Sequence, residues 1–117
     1  MQDFTVNILG AEWSVRFGDE KDYPVLENAD GVTDSSTREL IVHNMDSSRG
    51  QVGAKRDLDA YRRKVLRHEI IHAFLYESGL GENSNTVDMW ALNEEMVDWL
   101  AFQIPKIISV MQKAGAL

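Results

Sequence analysis

A chain of 117 residues with 44% apolar side chains fits one compact domain with a real core. Twelve Lys and Arg face nineteen Asp and Glu, a formal charge of −7, so the surface as a whole offers no basic footprint for nucleic acid. The absence of cysteine removes disulfides, thiol catalysis and Cys-ligated zinc, so any metal must sit on His, Asp or Glu. No apolar run is long enough to span a bilayer, and Met1-Gln2-Asp3-Phe4 lacks the regions of a signal peptide. The expectation is a soluble, cytoplasmic chain with no membrane partner.

Residues 4–17 read as two strands, each alternating apolar and polar, with Gly10-Ala11-Glu12 as the turn between them. Residues 18–37, rich in Gly, Asp, Asn and Ser, read as a loop with a short turn near Pro24. Residues 38–43 form a third strand, and residues 44–53 a polar excursion. From Asp57 the period becomes helical, with Asp57 or Asp59 as the cap and Gly79 as the stop. In its first half Leu58, Tyr61 and Val65 oppose Arg56, Arg63, Lys64 and Arg67, whereas Ile70, Ile71, Ala73, Phe74 and Leu75 are apolar all round and predict a buried second half. Lys55, Arg56, Arg62, Arg63, Lys64 and Arg67 are half of all the basic residues, and read as a solvated helix face rather than a binding patch. Residues 81–86 form a polar connection. A second helix runs from Val87 or Asp88 to residues 102–103, and Pro105 ends it and opens a C-terminal helix reaching about Gly115. Strands first and helices after make an α+β domain. Trp13, Trp90 and Trp99 read as core residues.

The chemistry lies in His68-Glu69-Ile70-Ile71-His72. Histidines four apart on a helix are about 40° apart around the axis and about 6 Å along it, so two imidazoles can reach one zinc ion. Glu69 is offset by about 100°, which suits a general base acting on the attacking water rather than a ligand. Left unpartnered beside an apolar helix half, two imidazoles and a carboxylate would cost several kcal/mol. A catalytic zinc usually has three protein ligands. In Asn93-Glu94-Glu95-Met96-Val97-Asp98, Glu94 and Asp98 share a face with the small residues Ala91 and Ala101, which permit close helix approach. The geometry supports Glu94 as the third ligand and Asp98 as the acceptor for the outer N–H of a ligand histidine, His68 for preference. Tyr61, Tyr76 and His43 are the candidates for an oxyanion donor, and the sequence does not choose among them.

The pairing of His68-Glu69-x-x-His72 with Asn93-Glu94-x-x-x-Asp98 resembles the gluzincin arrangement of thermolysin-like metallopeptidases. Glu94-x-x-Val97-Asp98-x-Leu100-Ala101 is similar to the corresponding helix of the ImmA/IrrE class of small bacterial and phage metallopeptidases. The resemblance covers roughly residues 38–102 and implies a minimal zincin-like core, with Zn2+ as cofactor and a peptide or protein as substrate. It also implies that residues 38–43 are an edge strand taking extended peptide by strand addition. Two rival readings remain. One is a zinc-stabilised binding or regulatory module with vestigial hydrolysis. The other is a nucleic-acid accessory protein using residues 55–67.

Overall fold

The computed structural model describes residues 2–46, 49–84 and 88–117. Parts of the two polar connections expected at residues 44–53 and 81–86, and Val87 as a helix start, lie outside them.

Strands β1 (Phe4–Ile8) and β2 (Ala11–Gly18) pair antiparallel. Their turn is Leu9-Gly10, both at positive φ, a tighter hairpin than the expected three-residue turn. The expected loop 18–37 holds a 3-10 turn at Pro24–Glu27 and a strand, β3 (Gly31–Asp34). Strand β4 (Glu39–His43) pairs antiparallel with β3 and parallel with β2, giving the order β1-β2-β4-β3. The sheet is therefore mixed, and β4 is interior. The strand at residues 38–43 is not an edge; β1 and β3 are. A connection long enough to include β3 lets β4 return parallel to β2.

Helix α1 (Leu58–Glu77) lies across one face of the sheet. Asp57 caps it, its carboxylate accepting from the Ala60 N–H at 2.9 Å. Ile8, Trp13, Val15 and Leu40 pack on Ala73, and Val42 and Met45 pack on Leu58 and Val65. Trp13 Nε1 donates to Glu77 Oε1 at 2.8 Å, fixing the helix end to β2. The second half of α1 is not buried all round: Phe74 is 43% exposed, because only the sheet covers this stretch fully. After a short helix α2 (Leu80–Asn83) and a 3-10 turn at Trp90–Leu92, helix α3 (Glu94–Lys113) returns along α1. The result is a four-stranded mixed sheet followed by three helices, an α+β fold. Within the described residues no helix is long and apolar enough to cross a membrane.

Three expectations fail on α3. It starts at Glu94 rather than near residue 88, with Asn93 capping the Met96 N–H at 2.9 Å. It also runs through Pro105, so the expected second and third helices are one. Proline removes the N–H that would bond the carbonyl four residues back. That carbonyl, Ala101, instead accepts from Arg67 Nε of α1 at 2.7 Å. Finally, Trp90 and Trp99 are 48% and 56% exposed, and only Trp13 is core.

Candidate metal centre

Residues His68, Glu69 and His72 occupy the middle of α1, and Glu94 the first turn of α3. His68 Nε2 and His72 Nε2 are 3.2 Å apart, and the Glu94 carboxylate lies 2.9 Å from each. Ala91 and Ala101, both fully buried, allow this close approach of the chain to α1. Two donors each about 2.0–2.1 Å from one zinc lie about 3–3.5 Å apart, so the spacing suits such an ion. Among the described residues this is the one trio of metal-ligating side chains so gathered.

The surroundings of the two histidines differ. Asp98 Oδ1 lies 3.1 Å from His68 Nδ1, which fixes the proton there and turns the Nε2 lone pair toward His72 and Glu94. Lys64 of α1 bonds the same Asp98 oxygen. That ammonium first, and then His68, hold the Asp98 carboxyl below the usual carboxylate range. His72 is buried, and burial pushes its pKa down, which favours the neutral ring. Its Nδ1 is buried with no protein partner among the described residues, so the ring's polar contacts all lie at the convergent centre.

Glu69 is 6% exposed and does not join the trio. Its Oε1 accepts from Thr33 Oγ1 of β3 at 2.8 Å. Burial pushes its pKa up, and the Thr33 hydroxyl opposes that. A Cβ at Gly31 would stand 2.9 Å from Glu69 Oε2 and 2.8 Å from Val65 Cγ1, so only glycine lets β3 approach α1 this closely. The sequence reading missed Gly31 and Thr33. Their one signal was the Val32-Thr33 pair of β-branched residues inside a polar stretch.

A pocket of about 240 Å³ is lined by Gly31, Val32, Thr33, His68, Glu69, His72, Tyr76 and Glu94. Tyr76 is the one oxyanion candidate on its wall. Tyr61 lines a neighbouring recess and donates to Asp30 Oδ2 at 2.5 Å, burial and Asp30 pushing its pKa up to about 12. His43 faces another cavity and binds Glu20 at 2.9 Å.

The basic stretch is only partly a solvated face. Lys64 and Arg67 hold α3, and Arg62 donates to the Asn44 carbonyl at 2.9 Å and to Asp59 at 3.0 Å. Arg56 and Arg63 are exposed. No family model matches the chain, and no curated protein or solved structure matches it either.

Proposed function

We propose that this protein is a zinc-dependent hydrolase, a minimal zincin-like peptidase in which His68, His72 and Glu94 hold the metal and Glu69 is the general base. The observation that carries the proposal is the convergence of two imidazole nitrogens and a carboxylate within 3.2 Å, beside a fourth group, a second and separately held carboxylate. A structural zinc site has no use for that fourth group.

Held by those donors, zinc would supply Lewis acidity toward a carbonyl oxygen and would lower the pKa of the attacking water. Glu69 does the proton work. With Oε1 engaged by Thr33, Oε2 takes a proton from the attacking water and returns it to the amine nitrogen as the C–N bond breaks. A raised carboxyl pKa suits both halves of that exchange. Tyr76, which lines the pocket, is the candidate donor to the developing oxyanion.

Substrate selection falls to β3 rather than to residues 38–43. The His43 N–H bonds the Asp30 carbonyl at 2.8 Å. By the antiparallel alternation, Val32 and Asp34 also turn their backbone groups to β4, while those of Gly31 and Thr33 face the free edge beside the pocket. An extended peptide pairs there by strand addition.

Incubation of the zinc-loaded chain with a quenched-fluorescent peptide library tests the reading. Glu69→Gln keeps its zinc and loses about 10²-fold or more of the cleavage. Cleavage undiminished in that variant removes Glu69 as base. A zinc-loaded chain that cleaves nothing returns the site to a binding or regulatory module.

A further inference from the structure

Lys64 lies one turn before His68 on α1, so the two side chains rise from one face of the helix. Its Nζ reaches across to Asp98 of α3 and takes Oδ1, the same oxygen that faces His68 Nδ1 at 3.1 Å. A carboxylate has two oxygens, and here both donors use one. The lysine head is also enclosed. Its side chain is 16% exposed, with Nζ 4.9 Å from the ring centre of Phe102 and 6.0 Å from that of Tyr61. The Tyr61 hydroxyl is itself tied to Asp30, which fixes that ring beside the ammonium.

A contact that only joins two helices does not require this arrangement, and Arg67 already joins α1 to α3 at the Ala101 carbonyl. What the sharing changes is the bond to His68. Charge-assisted N–H···O bonds close to about 2.7–2.9 Å, and the His68 bond is longer. Of the two donors, Lys64 bears more on the Asp98 carboxyl. A carboxylate on the outer N–H makes a ligand histidine a stronger donor. Here part of that carboxylate's charge is spent on the ammonium. Loss of Lys64 would leave Asp98 one tether instead of two, which acts the other way. Val97 and Ala101, both fully buried, keep this stretch of α3 in place without it. The bond that remains is the one to His68, no longer shared.

We infer that Lys64 is a positioning residue of the proposed metal centre, which acts through Asp98 to hold down the donor strength of His68 and so weakens the grip on the ion. The inference rests on the zinc reading of the site. A hydrolytic centre gains from such a residue, because an ion that takes less charge from its ligands is the stronger Lewis acid toward a carbonyl. A site built only to hold zinc loses by it.

Two measurements test this. In a zinc titration against a chromophoric chelator, Lys64→Met is expected to bind about tenfold more tightly than wild type, the lower end of what partners of ligand histidines are worth. Lys64→Gln, equally uncharged but polar, gives the same sign, and Lys64→Arg, which keeps the charge, stays near wild type. In the metal-free chain the His68 Nδ1–H proton resonance moves downfield in Lys64→Met, as the bond to Asp98 shortens. A lysine that merely props α3 against α1 gives the opposite sign, because its loss loosens Asp98 and zinc together. Weaker or unchanged zinc binding in the two uncharged variants, or an unmoved His68 resonance, overturns the proposal while the zinc reading stands. A wild-type chain that takes up no zinc in the same titration overturns both.

Discussion

At Glu69 the fold keeps an ionisable group where ionisation is costly. Its carboxylate lies under β3, with Thr33 on one oxygen and Gly31 against the other. Burial raises its pKa above the unfolded value of about 4.3. A carboxyl whose folded pKa is raised binds its proton more tightly in the folded chain. The stability this lends is complete below about pH 4 and is lost as the pH climbs through the raised folded pKa. Glu69→Gln removes that loss. In metal-free protein it therefore melts a few degrees above wild type near pH 7, and the difference closes as the pH falls toward 4. Equal melting at both pH values would show that Glu69 is solvated. A stabilising substitution at this position is the mark of a residue retained for chemistry rather than for the fold.

Among the elements, α1 and α3 show what the sequence disclosed and what it hid. The cap, length and stop of α1 followed from Asp57, the apolar period and Gly79, because each acts within its own turn. The continuity of α3 did not, because the group that replaces the missing Pro105 N–H is Arg67, on another helix. The same holds for β3. Four residues with only two β-branched side chains between Gly and Asp look like loop until β4 pairs with them and Glu69 fills the space over Gly31. The gathering of His68 and His72 with Glu94 and Asp98 was legible because the spacing of four is a local fact on each helix, whereas Thr33 and Lys64 required tertiary contacts. Arg67→Met leaves the Ala101 carbonyl buried and unpaired, a cost of about 1–3 kcal/mol in thermal denaturation. In a Pro105→Ala background the helix N–H takes that carbonyl, and most of the cost disappears. An equal loss in both backgrounds would mean that Arg67 acts elsewhere.

For the whole molecule, the proposed metal centre lies where two layers meet. The sheet fixes α1 through Trp13, Leu40 and Val65, and α1 fixes α3 through Lys64, Arg67 and His68. A zinc ion shared by His68, His72 and Glu94 adds a cross-link between those helices, and at a hundredfold excess over its Kd it adds about 2.7 kcal/mol of stability. Asp98→Asn, which weakens the hold on His68 without removing a ligand, is expected to loosen zinc by about 10–100-fold. The most direct measurement is the zinc content of the purified chain beside that of Glu94→Ala. Wild type is expected to carry about one zinc per chain and the variant almost none; equal zinc in both would contradict the account.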